Sequence, residues 1–329
     1  MRLAILGAGA WGTALAVALA RDHQISLWAR DAEQCRKLAA RRINDRYLPN
    51  VAIPAAVRIT PDLSLAIEEC ELIVVAVPTS ALRETLRHVA DSSTAGVVWL
   101  CKGFESGSAK FPHQIAEEEL PPTQSRAALS GPSFANEVAR ELPAAVTLAS
   151  SDAKFAALAS RELHTGRFRV YSSDDLIGVE TGGAVKNVIA IAAGACDGLN
   201  LGASARAALI TRGLAEITRL GVRLGGRFET FMGLAGAGDL LLTATSDLSR
   251  NRRVGLLLAS GRPLPDILKE LGHVAEGVYA AREVLRLSQE LGVDMPITAA
   301  VSALLAGTTS VHELVGGLLQ RAPKQEGAY

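Results

Sequence analysis

Lys186 is an ionisable residue in the middle of an apolar stretch, GGAVKNVIAIAAGACDG, at 182–198. The pattern predicts a buried helix, in which a lysine is costly unless it is paired with an acid or used in a reaction. A lysine in such surroundings can act as a general acid or base. The alternative is a lysine whose aliphatic stem lies along the helix while its ammonium group reaches solvent. We favour the first interpretation, in which Lys186 transfers a proton.

Two acidic residues farther along the chain could assist this chemistry. Asp239 follows a glycine-rich segment, GLAGAG, that predicts a turn. Its carboxylate could orient Lys186 or a substrate hydroxyl, although a role as a helix cap fits the position equally well. Glu276 begins a predicted helix, where it could cap that helix or contact the amide of a cofactor. The pattern alone leaves both alternatives open for each residue.

The tripeptide at 249–251 combines a hydroxyl, a guanidinium and an amide at the predicted start of a helix. The N-terminus of a helix attracts anions, and arginine binds phosphate oxygens through paired hydrogen bonds. Ser249, Arg250 and Asn251 are therefore candidates for binding a phosphate group. We expect the next two residues, Arg252 and Arg253, to face solvent.

The start of the chain has the spacing of a dinucleotide-binding turn. A strand-like run at 3–6 is followed by G-x-G-x-x-G at Gly7, Gly9 and Gly12, and then by helix formers up to Ala20. In this motif the glycines allow a tight turn, a close approach to a pyrophosphate and close packing of the helix on the sheet. Residues 3–20 carry no charge and would also fit a signal peptide. Cleavage after Ala20, however, would remove the first strand of the predicted strand–helix–strand unit. We therefore favour cofactor binding.

The first half of the chain alternates apolar runs with helical stretches, as parallel βαβ units do. After a second strand at 23–30, further strands are predicted at 71–78, 96–103, 127–132 and 144–150. Each is apolar enough to be buried on both faces of a parallel sheet. Ligands of such sheets bind beyond the carboxyl ends of the strands. The residues expected there are Pro78, Lys102, Gly131 and Ser133, although an N-cap role is the alternative for Ser133.

The second half of the chain has a different pattern. From 177 to 319 no segment predicts a strand, and helices are predicted at 178–197, 204–224, 250–260, 276–291 and 296–306. We therefore expect two domains. The first, 1–177, is a dinucleotide-binding α/β domain with a doubly wound sheet, and the second, 178–329, is all-α.

The composition is that of a globular enzyme. The chain has 329 residues, 49% of them hydrophobic and 21% charged, which suggests about two domains. Lys plus Arg and Asp plus Glu number 34 each, so no net charge favours nucleic acid or an anionic membrane surface. The cysteines and histidines show no metal-ligand spacing, so we predict no metal site.

Five segments resemble the motifs of the bacterial NAD(P)-dependent sn-glycerol-3-phosphate dehydrogenase family. They are GAGAWGTALA, CKGFE, SGPSFA, GGAVKNVIAIAAGACDGLNLGASARAALITRGLAEI and GLAGAGDLLLTATSDLSRNRRVG. The resemblance extends from residue 3 to about residue 320. It implies a Rossmann domain followed by the helical domain of 6-phosphogluconate dehydrogenase-like enzymes. It also implies reversible hydride transfer between NAD(P)H and dihydroxyacetone phosphate, which gives sn-glycerol 3-phosphate for phospholipid synthesis.

The resemblance also implies roles for individual residues. Lys186 matches the proton acceptor in the oxidation direction, and we group Asp239 with it as catalytic. The positions that match substrate contacts are Lys102, Gly131, Ser133, Lys186, Asp239, Ser249, Arg250 and Asn251. The positions that match or form the cofactor site are Gly7, Gly9, Ala10, Trp11, Gly12, Arg30, Tyr47, Lys102, Ala135, Arg250, Val274 and Glu276.

The end of the second predicted strand bears on the choice of cofactor. An acidic residue there holds the ribose 2′-hydroxyl of NAD, whereas an arginine accommodates the 2′-phosphate of NADP. In this chain Arg30 comes first and Asp31 follows. We therefore expect NADPH to be accepted, and the pattern allows it to be preferred over NADH.

Two alternative functions are compatible with the architecture. A 6-phosphogluconate or β-hydroxyacid dehydrogenase would bind a carboxylate substrate, whereas 249–251 matches a phosphate-binding motif. A non-catalytic NAD(P)-sensing protein is expected to lack the proton donor, whereas Lys186 is present. We expect a small-molecule substrate, no nucleic acid partner, no membrane span and a cytoplasmic location. A homodimer is compatible with the sequence.

Overall fold

The computed structural model describes residues 1–272 and 275–319. Contacts divide the chain into two compact units, Met1–Glu105 with Lys110–Leu176, and Ser106–Ala109 with Ile177–Tyr329. The first unit is built on a β-sheet and the second on α-helices.

Ten strands and seven helices form the first unit within the described residues. The strands are β1 (Arg2–Leu6), β2 (Gln24–Trp28), β3 (Ile43–Asn44), β4 (Leu48–Ala52), β5 (Arg58–Thr60), β6 (Leu72–Val75), β7 (Gly96–Trp99), β8 (Arg126–Ser130), β9 (Ala144–Ala149) and β10 (Phe168–Ser173). The helices are α1 (Ala10–Leu19), α2 (Ala32–Arg41), α3 (Leu63–Ile67), α4 (Thr79–Ser92), α5 (Pro112–Glu119), α6 (Ala135–Ala139) and α7 (Ala153–Leu163).

The main sheet has the strand order β10-β9-β8-β7-β6-β1-β2-β5. From β5 to β8 the strands follow the order 3-2-1-4-5-6 of dinucleotide-binding sheets, and all of these pairings are parallel. The order reverses between β1 and β6, so a nucleotide is expected beyond the carboxyl ends of these two strands. The predicted Rossmann-type α/β architecture is therefore confirmed.

Both faces of this sheet are buried. Along β1, Leu3 and Ile5 contribute to one apolar cluster, while Ala4 and Leu6 contribute to the other. The first cluster includes side chains of α1, α2 and α7, and the second includes side chains of α3, α4 and α5. Because helices cover each face, the strands are continuous apolar runs rather than alternating ones.

The direction of β9 corrects the expectation of a uniformly parallel sheet. The strand β9 pairs with β8 in the antiparallel direction, and β10 then pairs with β9 in the parallel direction. The only helix between β8 and β9 is α6, which at five residues is about 7.5 Å long. Since β8 is about 16 Å long, a helix of this length does not run back along the strand as the crossover helix of a parallel βαβ unit does. The chain therefore turns back at the end of β8.

The sequence patterns also missed four strands, because these strands lack a clear apolar pattern. The hairpin β3–β4 and the edge strand β5 are too short or too polar to show a period, and β10 lies in a mixed stretch, RFRVYSS. Short elements of this kind are held by their neighbours rather than by their own pattern.

The second unit contains long helices close to the predicted bounds. They are α8 (Leu176–Gly198), α9 (Gly202–Arg223), α12 (Arg250–Ala259), α14 (Glu276–Glu290) and α15 (Pro296–Leu305). Shorter elements that were not predicted lie among them: α10 (Phe228–Met232), a π-helix (Leu234–Gly238), α11 (Asp239–Thr245), α13 (Leu264–Leu271) and α16 (Val311–Leu319). No strand follows Ser173 in the parts of the chain that the structure describes.

The helix α8 is the core of the second unit. By length and composition alone it could cross a membrane, but 89% of its most apolar window is buried inside the protein. Such a helix is typical of the interior of a globular domain. A polar side chain on this helix is therefore costly unless it has a hydrogen-bond partner.

The carboxylate of Glu216 joins α9 to the start of α15. It accepts hydrogen bonds from the backbone N–H of Ile297 (2.6 Å) and from the backbone N–H and hydroxyl of Thr298 (both 3.1 Å). The N-cap of α15, Met295, has no side-chain acceptor. Glu216 therefore satisfies N–H groups that the helix leaves without a partner. Burial raises its pKa to about 7, although these hydrogen bonds act in the opposite direction.

We expect Glu216 to make the stability of the protein depend on pH. Its pKa in the unfolded chain is 4.5, so the folded protein binds the extra proton and its stabilising effect is present below pH 4.5. That effect is lost as the pH rises through about 7. Relative to Glu216→Gln, the wild type should lose about 3 kcal/mol of unfolding free energy over this interval. Urea unfolding followed by circular dichroism at several pH values measures the difference.

The exposed Glu229 of α10 offers a matched control. Glu229→Gln should leave the pH dependence of the wild type unchanged. A constant difference between wild type and Glu216→Gln across this pH range would contradict the prediction.

Candidate active site

The glycine-rich turn between β1 and α1 has the geometry of a pyrophosphate site. Gly7 has a φ of +115°, a conformation that favours glycine, and a Cβ on Gly12 would overlap the carbonyl oxygen of Gly7. No side chain caps the N-terminus of α1, and nothing lies within 4 Å of where a Cβ on Gly9 would be. An open approach to an uncapped helix N-terminus suits the pyrophosphate of a dinucleotide.

Side chains from neighbouring elements hold this turn in place. The amide groups of Gln34 and Asn44 donate to the carbonyl oxygen of Ala8 at 2.9 and 3.0 Å. The Asn44 amide also donates to the hydroxyl of Thr13 at 2.7 Å. The turn is therefore preorganised before any ligand binds.

The structure brings several of the predicted cofactor residues together. Ala10, Trp11 and Ala135 meet in one apolar cluster with Leu48 of the β3–β4 hairpin. The adjacent Tyr47 lines a cavity of about 520 Å³ together with Leu48, Pro49, Asn50, Asn136 and Arg140. These contacts place the hairpin and α6 beside the N-terminal part of α1.

Arg30 and Asp31, which follow β2, differ in whether their side chains are free to contact a cofactor. Arg30 is exposed. The carboxylate of Asp31 caps α2, where it accepts from the backbone N–H groups of Glu33 (2.8 Å) and Gln34 (3.3 Å). The acidic group at this position is thus engaged with the protein itself.

Three predicted substrate residues of the first unit meet at one carbonyl group. The ammonium group of Lys102 and the hydroxyl of Ser133 both donate to the carbonyl oxygen of Gly131, at 3.5 and 3.2 Å. The hydroxyl of Thr79 donates to the carbonyl oxygen of Lys102 at 3.1 Å. Ser133 is not a helix cap, because the N-cap of α6 is Phe134.

Lys186 is buried in α8 and is paired with an acid of α11. Only 6% of Lys186 is exposed, so its ammonium group does not reach solvent along the helix surface. It donates to the carboxylate of Asp239 and, at 3.0 Å, to the hydroxyl of Thr243. Asp239 does not cap α11, whose N-cap is Gly238. The arrangement holds an ammonium group in a protein interior with its hydrogen bonds directed.

The glycine-rich segment before Asp239 is a π-helix rather than the predicted turn. A Cβ on Gly182, one helical turn before Lys186, would lie 2.5 Å from the carbonyl oxygen of Ala235 in this π-helix. Glycine at 182 therefore lets the π-helix approach α8 on the face that carries Lys186. Asp239 directly follows the π-helix, and its carboxylate therefore lies beside the ammonium group of Lys186.

A chain of amide hydrogen bonds connects α8 with the starts of α12 and α14. Asn251 accepts from the backbone N–H of Gly277 (3.0 Å) and donates to Asn187 (2.9 Å), which in turn donates to Glu276 (3.3 Å). Glu276 is the first residue of α14, and the N-cap is Ala275. The predicted phosphate residue Asn251 and the predicted cofactor residue Glu276 therefore belong to one network.

The predicted phosphate tripeptide lies at the start of α12. Ser249 is the N-cap and accepts from the backbone N–H of Arg252 at 3.2 Å, and Arg250 is exposed. The expectation that Arg252 faces solvent is wrong, because only 11% of its side chain is exposed and it pairs with Asp197. Arg253 is exposed as expected and pairs with Glu270.

Two residues of this constellation were not predicted as site residues. Thr243 lies one turn after Asp239 on the same face of α11, a spacing that could have indicated it. Asn187 follows Lys186, and its polar side chain within an apolar stretch could have indicated it. Val274 lies outside the described residues. Within the described residues, no group of three or more potential metal ligands is present.

Comparisons with known proteins agree on one family. The family model described as the NAD-dependent glycerol-3-phosphate dehydrogenase N-terminus matches residues 2–156, and its C-terminal counterpart matches residues 175–316. Proteins named glycerol-3-phosphate dehydrogenase (NAD(P)+) from Nitrosospira multiformis and Dechloromonas aromatica are 59% and 55% identical, each over 99% of both chains.

A solved structure extends the similarity to the fold. The crystal structure of glycerol-3-phosphate dehydrogenase from Coxiella burnetii matches with a TM-score of 0.92 and 42% identity, over 97% of this chain and 99% of that one. The expected fold class is thus confirmed for both halves. Since the family models match both halves and the relatives align from end to end, this chain belongs to the NAD-dependent glycerol-3-phosphate dehydrogenase family.

Proposed function

We propose that Lys186 is the proton donor in the reaction of this family, the reversible reduction of dihydroxyacetone phosphate to sn-glycerol 3-phosphate with NAD(P)H. The observation that carries the proposal is the buried ammonium group of Lys186, held by the Asp239 carboxylate and the Thr243 hydroxyl. Negative charge develops on the carbonyl oxygen of the substrate during reduction. An ammonium group within hydrogen-bond distance stabilises that charge and then transfers a proton to it.

Asp239 and Thr243 orient the lysine in this proposal. The carboxylate stabilises the ammonium form by Coulomb attraction, which is strong where water is excluded. The hydroxyl fixes a second N–H direction at 3.0 Å. In this proposal the ammonium group, oriented in this way, donates to the substrate oxygen.

Ser249, Arg250 and Asn251 bind the phosphate of the substrate in this proposal. Arg250 supplies an exposed guanidinium, and the start of α12 supplies the positive end of a helix dipole. When the phosphate is bound in one place, the carbonyl group of the substrate is held in position for the reaction. Such positioning lowers the activation barrier. We assign Lys102, Gly131 and Ser133, which meet at one carbonyl group, to the substrate as well.

The first unit fits NAD(P)H. The open, uncapped N-terminus of α1 would hold the pyrophosphate, with Gly7, Gly9 and Gly12 allowing its approach. Ala10, Trp11, Tyr47 and Ala135 are assigned to the same cofactor, as are Glu276 and Arg250 of the second unit. When bound, NAD(P)H supplies the hydride.

The supply of sn-glycerol 3-phosphate to glycerophospholipid synthesis and a cytoplasmic location are part of this proposal. A homodimer stays a prediction.

The direct test of the activity follows the loss of reduced-nicotinamide absorbance with dihydroxyacetone phosphate, with unphosphorylated dihydroxyacetone as the control. Turnover with the phosphate ester alone supports both the reaction and the phosphate site. Equal turnover with the unphosphorylated ketone would remove the case for a phosphate site.

Removal of the Lys186 ammonium should abolish most of the turnover. We expect Lys186→Ala to lower kcat about 1000-fold, because the developing charge loses its proton donor. Binding of NADH, measured by fluorescence, should stay within about twofold of the wild type, since the glycine-rich turn is unchanged. Lys269→Ala, at an exposed position of α13, is the matched control. A kcat near the wild-type value would rule out Lys186 as the donor.

Removal of the Arg250 guanidinium should weaken substrate binding. We expect Arg250→Ala to raise KM for dihydroxyacetone phosphate about 10- to 100-fold, the usual range for a lost charge-assisted hydrogen bond. Arg253→Ala removes a neighbouring exposed arginine and should leave KM unchanged. Steady-state kinetics at saturating NADH compare the two variants. If both have the wild-type KM, the phosphate binds elsewhere.

Arg30 should contribute to the use of NADPH. Because Asp31 is engaged as the cap of α2, we propose that Arg30 is the residue that meets the 2′-phosphate. Arg30→Ala should lower kcat/KM for NADPH about tenfold and leave kcat/KM for NADH within twofold. Arg36→Ala, on the exposed side of α2, is the control. An equal loss with both cofactors would contradict a specific role in recognising the 2′-phosphate.

A further inference from the structure

Arg252 joins two parts of the second unit through a nearly buried guanidinium. Its Nε and Nη2 atoms lie 2.8 and 2.7 Å from one carboxylate oxygen of Asp197, at the end of α8. Its Nη1 atom donates to Asp247 at 2.6 Å, in the turn that precedes α12. Only 11% of the Arg252 side chain is exposed, compared with 55% for Arg253.

The packing of α8 against α12 does not itself require this side chain. A Cβ on Gly255 would overlap the carbonyl oxygen of Ile191, and a Cβ on Gly194 would overlap that of Arg252. The two helices are therefore in backbone contact at their crossing. The guanidinium of Arg252 reaches beyond this crossing, to the turn that leads into Ser249.

We propose that Arg252 is a positioning residue that fixes the phosphate-binding tripeptide at a set distance from Lys186. Asp197 lies on the same helix as Lys186, eleven residues later, or about 16 Å along the axis. Arg252 ties that helix end to Asp247, two residues before Ser249, and its backbone N–H donates to the Ser249 hydroxyl at 3.2 Å. This inference rests on the proposed role of 249–251 in phosphate binding.

Two neighbouring arginines allow the positioning role of Arg252 to be distinguished from a general contribution to the stability of the protein. The second oxygen of Asp197 accepts from Arg206 of α9 at 2.9 Å, so Arg206 contacts Asp197 without taking part in the link from Arg252 to Asp247. Arg253 is the next residue of α12, but it pairs with Glu270 of α13. Arg206→Met and Arg253→Met therefore each remove one ion pair of the same region and leave the link to Asp247 intact.

The test compares Arg252→Met and Arg252→Lys with these two controls. Inorganic phosphate, a competitive probe of the phosphate site, is titrated against dihydroxyacetone phosphate in each purified full-length variant. Arg252→Met should raise the inhibition constant of phosphate and the KM for the substrate by about tenfold or more, because small displacements of a positioning group are costly. The affinity for NADH should stay within about twofold. Arg252→Lys should recover part of the loss, and both controls should match the wild type.

Three outcomes would decide against the inference or its basis. If Arg206→Met weakens phosphate binding as much as Arg252→Met does, the effect is one of stability and Arg252 has no positioning role. If Arg252→Met matches the wild type while Arg250→Ala weakens phosphate binding, only the inference fails. If Arg250→Ala also leaves phosphate binding unchanged, the proposed phosphate site itself fails.

A milder variant keeps the test decisive if Arg252→Met does not fold. The side chain of Asp247 is 96% exposed, so Asp247→Asn buries no uncompensated charge. It removes the charge that ties Arg252 to the turn before Ser249. We expect it to raise the inhibition constant of phosphate about threefold with little loss of stability. Wild-type inhibition by phosphate in both Asp247→Asn and Arg252→Lys would overturn the inference.

Discussion

The second unit is organised around one buried charge, the ammonium group of Lys186. Transfer of such a group from water into a protein interior is offset only by an opposite charge and by hydrogen bonds of good geometry. Asp239 and Thr243 supply these, and each depends on other features of the fold. Because Gly182 has no side chain, the π-helix approaches α8 and delivers Asp239 to the lysine. A shift of one residue along α8, about 1.5 Å, would separate the charges.

The same requirement explains why the polar groups near Lys186 are connected to one another. Asn187, Asn251 and Glu276 come from three helices, and their hydrogen bonds fix the starts of α12 and α14 against the middle of α8. A phosphate bound at the start of α12 would thus meet groups that are already oriented. Preorganised donors of this kind require little rearrangement during the reaction, which is the main source of electrostatic catalysis. The first unit shows the same principle, since Asn44 and Gln34 hold the glycine-rich turn.

The sequence patterns correctly predicted the elements whose conformation depends mainly on neighbouring residues along the chain. The long helices α8, α9, α12, α14 and α15 begin and end within two residues of the predicted bounds, because each has an apolar face of sufficient length. The glycine-rich turn and the buried Lys186 could also be recognised, since both combine residue types that packing alone does not need. The antiparallel β9, the π-helix and the burial of Arg252 depend on distant partners. Asp197, for example, is 55 residues from Arg252 along the chain, and no local pattern relates them.

Charge compensation explains which arginine of the SRNRR segment can bind a substrate. The guanidinium of Arg252 is paired with Asp197 and Asp247, and that of Arg253 with Glu270, so both side chains are already engaged with carboxylates of the protein. Arg250 is exposed and forms no ion pair with any of the residues that the structure describes. In a chain with no net charge, a phosphate must be attracted by a local excess of this kind. Arg252 and Arg253 are engaged within the protein and do not compete with Arg250 for its ligand, which is why three arginines of one short segment can perform different tasks.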